Sequence, residues 1–134
     1  MIVGMMPPKL VQMMLNKGTL SGHTIIKPES VAMMSENHIG DLGIYSDGTA
    51  ANPGRPGQKF GLDFAVYVDP AAGQNPFGKG TYYWGGAAGT WFWIDPTNDI
   101  VAVGMIQRMG GTGGDDLGTM ARTLTYQALL HPEK

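Results

Sequence analysis

The stretch Thr81–Met109, TYYWGGAAGTWFWIDPTNDIVAVGMIQRM, constrains this chain more than any other. Two apolar runs rich in Trp, Phe, Ile and Val, Gly89–Ile94 and Ile100–Gln107, flank Asp95-Pro96-Thr97-Asn98-Asp99. β-branched and aromatic side chains suit a pleated, half-buried surface, and the Pro/Asn/Asp cluster is turn chemistry. The run predicts an antiparallel hairpin. Just before it lies Trp84-Gly85-Gly86-Ala87-Ala88-Gly89, where tiny or missing side chains leave a strand's backbone open to approach.

A second strand is predicted over Lys59–Asp69, where Phe60, Leu62, Phe64, Val66 and Val68 alternate with Gly61, Asp63, Ala65, Tyr67 and Asp69. Period two implies one face in a core and one small or polar face outward. The remaining elements are helices and loops. Pro8–Asn16 reads as a short helix buried on much of its circumference, with Pro in its first turn and Gly18 past its end. Gly18–His23 is a turn, and Thr24-Ile25-Ile26 a brief extended piece. Lys27-Pro28-Glu29-Ser30 opens a second helix with Val31, Met34 and His38 on one face and a stop at Gly40.

Asp41–Gln58 is predicted as loop, punctuated by Gly and Pro and, at about 18 residues, longer than ordinary connections. Pro70–Gly80 is a second Gly/Pro-rich loop, and Gly110–Gly114 a flexible hinge. The longest helix is expected over Asp115–Leu130, with Leu117, Met120, Ala121, Leu124 and Ala128 as its apolar stripe. The sum is a single α+β domain over residues 1–134: an antiparallel sheet of three to four strands, a C-terminal helix packed on it, and two short N-terminal helices.

Composition removes several classes of function. A formal net charge of −2 gives no electrostatic footprint for nucleic acid. The absence of cysteine excludes a thiol nucleophile and Cys-based metal sites. No run reaches the ~18 apolar residues of a membrane span, and MIVGMMPPK lacks the basic start of a signal peptide. No cofactor is expected, and the compartment is left open.

The serines Ser21, Ser30, Ser35 and Ser46 lie in no Gly-x-Ser-x-Gly or Ser-x-x-Lys, so none reads as a nucleophile. His23, His38 and His131 show no metal-ligand spacing, and only His38 is expected to point inward. Asp41, Asp47, Asp63 and Asp69 are expected in solvent. Gly110–Gly114 lacks the Lys-Ser/Thr that closes a phosphate loop. Trp91 and Trp93 read as packing residues. Trp84-Gly85-Gly86-Ala87 remains, with two readings: a strand whose amides serve an oxyanion or an extended acyl ligand, or one that crosses close to another backbone or bulges.

These residues resemble a known family. YYWGGAAGTWFWIDPTNDIVAVGMIQ is similar to the C-terminal strands of the serine β-lactamase and penicillin-binding-protein-like hydrolases, above all their esterase-like branch. LVQMMLNKGTLSGHTIIKPESVAMMSENHIGD resembles the segment preceding those strands, and FGLDFAVYVDP the strand that commonly begins GLGF. In order, the similarity runs from Leu10 to Leu130. The resemblance implies a partial β-lactamase/transpeptidase-like fold, its C-terminal third. It places Trp84-Gly85-Gly86 where the family has Lys-Thr-Gly, as substrate-binding residues, and offers the Ala87 backbone N–H as half of an oxyanion hole. It also implies a small ester or amide substrate, leaning to neutral esters because the Lys/Thr pair is missing.

The family's Ser-x-x-Lys and Tyr-containing motifs occur nowhere in the chain, so the isolated chain is expected to be inactive. The resemblance further implies an uncovered sheet edge and helix stripe that invite self-association or an N-terminal partner segment. The rival reading is a small binding module that takes an extended peptide by strand addition along Gly85–Gly89.

Overall fold

The computed structural model describes residues 8–109 and 113–130. In chain order the elements are α1 (Pro8–Leu15), β1 (Thr19–Leu20), β2 (His23–Thr24), α2 (Pro28–Ser35), β3 (Gln58–Phe60), β4 (Ala65–Tyr67), β5 (Tyr82–Gly85), β6 (Trp91–Asp95), β7 (Ile100–Gly104) and α3 (Gly113–Leu130). Strands β3 to β7 form one five-stranded sheet in sequence order, and β1–β2 form a separate two-residue ribbon. Every pairing is antiparallel. The α+β class holds, with five strands in the main sheet.

The expected hairpin is β6–β7, in register from Trp91↔Gly104 to Asp95↔Ile100. On one sheet face Phe64, Val66, Tyr82, Phe92 and Ile94 pack against Val11, Met13 and Met14 of α1 and Val31 of α2. On the other, Tyr67, Trp93 and Phe77 pack against Tyr126 of α3. The sheet is therefore the middle of three layers, and each fully buried large apolar side chain contributes about 1.5–3 kcal/mol.

Four expectations are corrected. Lys59–Asp69 is a hairpin, β3–β4, rather than one strand: Gly61 N–H donates to the Phe64 carbonyl at 2.8 Å and Phe60 stands opposite Ala65. Gly61 and Asp63, counted as a small polar face, are turn residues, and Leu62 at the tip is 59 % exposed. Neither face of β4 is outward: Ala65, Val66 and Tyr67 are all buried, and Tyr67 joins Phe77, Trp93 and Tyr126 in the cluster on the second sheet face.

Helix α2 stops at Ser35, five residues before Gly40, because tertiary partners take its last carbonyls. Asp63 N–H donates to Met34 O, and the exposed His38 ring, not inward as expected, sits 2.8 Å from Met33 O. Thr24-Ile25-Ile26 contributes only Thr24 to a strand; the Ile25 and Ile26 amides both donate to Gly18 O.

The α3 stripe is the fourth. Leu117, Met120, Leu124 and Ala128 are exposed, and Ala121 alone of that set is half-buried. Gly118, Ala121, Arg122, Thr125 and Tyr126 form the inward face instead. Gly118 lets the helix come close enough for the Trp91 indole to lie against its backbone. Helix α3 begins at Gly113, so the tail of the expected hinge is helical, while residues 110–112 lie outside the described residues. His131 and the N-terminal residues 1–7 also lie outside them.

Candidate functional site

The stretch singled out in the sequence forms the end of β5 and the tight turn into β6. Strand β5 pairs with β6 along its whole length, Tyr82↔Ile94 to Gly85↔Trp91. On its other side β4 reaches only as far as Ala65↔Tyr83. Trp84 and Gly85 thus lie past the last β4 partner, because the chain turns away at Gly61–Phe64.

The turn itself is pinned from three directions. Gly86 N–H donates to Thr90 O at 2.8 Å, Gly89 N–H to Gly86 O at 2.9 Å, and Arg108 N–H to Ala88 O at 2.9 Å. Gly89 has φ +84°, a left-handed conformation that favours glycine, and a Cβ there would meet the Ile106 side chain at 2.8 Å. A fixed turn results. Within it the Ala87 amide has no hydrogen-bond acceptor among the described residues, and Ala87 is exposed. An amide held on a fixed turn with no acceptor among the described residues is a group able to receive an oxyanion.

The three residues before it differ in exposure. Gly85 is exposed and Gly86 half-buried. Trp84 is half-buried and packs edge-to-face on Phe60, centroids 5.1 Å apart at 82°. Trp91 and Trp93 stack on each other at 5.1 Å and 13° on the α3 side of the sheet. Trp91 lies over Gly104, not over Ala87, since a Cβ on Gly104 would overlap its ring. The strand-addition edge expected along Gly85–Gly89 shrinks to Trp84–Gly85, because Gly86–Gly89 is turn and β5 has β6 beside it.

The other residues considered do not converge. Ser35 Oγ donates to Val31 O and Ser46 Oγ to Asn52 O, while Ser21 and Ser30 are exposed. His38 pairs loosely with Glu36 at 3.7 Å, and His23 lies exposed in β2. Asp41, Asp47, Asp63 and Asp69 are all exposed. Asp47 accepts from the Thr49 hydroxyl and amide, which hold its carboxyl below the usual range, and Asp69 accepts from Ala72 N–H. Among the described residues no three His, Asp or Glu side chains are placed to hold a metal ion.

Asp95, read from sequence only as a turn residue, anchors the structure. Fully buried, its carboxylate accepts from Gly78 N–H (2.8 Å), Thr97 N–H (3.0 Å), Asn98 N–H (3.1 Å), Asn98 Nδ2 (2.7 Å) and Tyr126 OH (2.5 Å). Burial works to raise its pKa, but the Tyr126, Asn98 and Gly78 donors outweigh it and hold the carboxyl below the usual aspartate range. Burial and the facing Asp95 push the Tyr126 hydroxyl strongly up. The Asp95-Pro96-Thr97-Asn98 turn was legible; the partner on a helix 31 residues on was not.

The family model described as Beta-lactamase matches residues 34–127. Protein Rv1367c of Mycobacterium tuberculosis strain H37Rv is 36 % identical over 102 residues, which make up 74 % of this chain and 25 % of that protein. Among solved structures, EstCE1, a hydrolase with promiscuous acyltransferase activity, is 28 % identical with a TM-score of 0.65 over 87 % of this chain and 28 % of its own. Unliganded simvastatin synthase LovD from Aspergillus terreus, as the selenomethionyl derivative, superposes with a TM-score of 0.67 at 17 % identity, over 93 % of this chain and 33 % of its own. That last likeness concerns the fold alone. The chain spans about a quarter of the length of the curated relatives it matches.

Proposed function

Because the chain belongs to the beta-lactamase family, we propose that it supplies one wall of an acyl-transfer site whose attacking serine comes from polypeptide outside these 134 residues. The observation that carries this reading is the Ala87 amide, without an acceptor among the described residues, in an exposed residue on a pinned turn directly after Trp84-Gly85-Gly86. That amide donates to the oxyanion of the tetrahedral intermediate, and the amide of the incoming nucleophile is the second donor. A donor already held in place needs no reorganisation as charge develops, and one such donor is worth about 10²–10³ in rate.

Trp84, Gly85 and Gly86 then line the acyl side of the site. The open backbone at Gly85 admits an extended substrate, and Trp84 packs on Phe60 to keep the strand end in place. With no lysine or threonine at these positions there is no cationic grip on a substrate carboxylate, which favours neutral esters. The likeness to EstCE1, a hydrolase with promiscuous acyltransferase activity, supports the acyl-transfer reading.

The isolated chain is expected to show no turnover of p-nitrophenyl butyrate; turnover abolished by a serine-directed phosphonate would refute the division of labour. The positive test is a chimera in which this chain replaces the matching segment of EstCE1. It should hydrolyse the ester, and Ala87→Pro, which deletes the N–H, should cut kcat by about 10²–10³ with KM little changed. A chimera indifferent to Ala87→Pro would remove Ala87 from the mechanism.

A further inference from the structure

The sheet face opposite α1 and α2 carries a cleft that the acyl site does not use. It encloses about 350 Å³ between the sheet and α3, within the range of small-molecule sites. Tyr67, Tyr83, Trp91 and Trp93 line it together with Arg55, from the loop before β3, and Arg122, from α3. Its charge is of one sign. No lining residue is acidic, and among the described residues neither arginine is paired with a carboxylate.

The guanidiniums rest on aromatic rings instead: Arg55 lies 4.9 Å from the Tyr45 ring centroid and Arg122 5.4 Å from that of Phe77. Both reach the same place. Burial pushes the Tyr67 hydroxyl up to about 12, and the fields of Arg122 and Arg55 both act against that rise. Trp91 Nε1 and Trp93 Nε1 are both buried, so the aromatic wall offers the cleft its ring surface rather than its N–H groups.

We propose that this cleft binds a planar aromatic monocarboxylate, its ring against the Trp91–Trp93 pair and its carboxylate on the Arg55 and Arg122 guanidiniums. The forked guanidinium matches a carboxylate's two oxygens, and a flat ring meets the stacked indoles at little entropic cost. The site is separate from the acyl wall, because Trp84 packs into the core cluster on the opposite sheet face.

The test is a titration of the whole chain with benzoate, followed by tryptophan fluorescence, with benzamide as the neutral isostere. Saturable quenching by benzoate is expected, with benzamide at least about tenfold weaker and Arg122→Gln or Arg55→Gln each weakening benzoate about tenfold. Equal responses to the two ligands, a non-saturating response, or both variants binding like the parent would overturn the proposal. So would light scattering showing a dimer that benzoate neither dissociates nor binds. Should one arginine variant fail to unfold cooperatively in urea, the other decides.

Discussion

Replacing Asp95 with asparagine keeps the shape of the side chain and removes its charge, which makes the consequences countable. Oδ1 accepts two backbone amides, those of Thr97 and Asn98. Oδ2 accepts three donors: Gly78 N–H, Asn98 Nδ2 and Tyr126 OH. In Asp95→Asn one oxygen becomes an NH₂ group. With the carbonyl kept towards Thr97 and Asn98, the NH₂ faces the other three donors. The Tyr126 hydroxyl can rotate and the Asn98 side-chain amide can flip, so both can accept, but Gly78 N–H cannot. One stranded buried donor costs about 1–3 kcal/mol, so Asp95→Asn should lose roughly that much.

Set against the ~5–15 kcal/mol of an ordinary domain, that loss is large. Tyr126→Phe leaves the other four donors in place and removes one bond to a charged acceptor, a loss of about 1.5–3 kcal/mol. Urea unfolding followed by tryptophan fluorescence reads both, as a lower midpoint at unchanged slope.

The pH dependence follows from the depressed Asp95 carboxyl. Its contribution is complete above the unfolded aspartate value of about 3.9 and is lost as pH falls through the lower folded value. The urea midpoint of the parent should fall across that acidic window, and Asp95→Asn should lack this component. Asp95→Asn within about 0.5 kcal/mol of the parent, with an unchanged acid profile, would refute the reasoning.

Two further outcomes follow. Gly18→Ala should destabilise by more than about 1 kcal/mol in a thermal melt, because Gly18 has φ +91° and a Cβ there would stand 1.9 Å from the Ile26 carbonyl oxygen; a melt unchanged by the substitution would show that the α1 exit can rebuild. Leu117→Lys and Leu124→Lys, at positions 48 % and 59 % exposed, should change stability by no more than about 0.5 kcal/mol. They should also abolish any concentration-dependent association seen by light scattering, and association that persists in both would clear the α3 stripe.

Legibility along this chain tracks how local the cause is. The β6–β7 hairpin, the Pro-marked starts of α1 and α2 and the Gly18 exit each depend on neighbours within a few residues, and each stands where expected. The Lys59–Asp69 alternation misled because periodicity records which side chains are apolar, not the direction of the chain. A four-residue turn at Gly61–Phe64 fits inside the pattern without breaking it, yet sets Phe60 opposite Ala65. The face chosen by α3 was hidden for a similar reason. Its large apolar residues form a clean stripe, but a helix turns inward the side that finds partners, and Tyr126 has Asp95 and Phe77.

From its letters alone this chain establishes an antiparallel α+β architecture, its family, and a glycine-rich strand end, since propensity, turn chemistry and motif order are written residue by residue. Only the folded arrangement decides that Ala87 lies on a pinned turn with no acceptor for its amide among the described residues, that Asp95 collects five donors, and that two arginines share a cleft with Trp91 and Trp93. Those features join residues far apart in sequence, and burial gives them their energetic weight, because water no longer competes for the same groups.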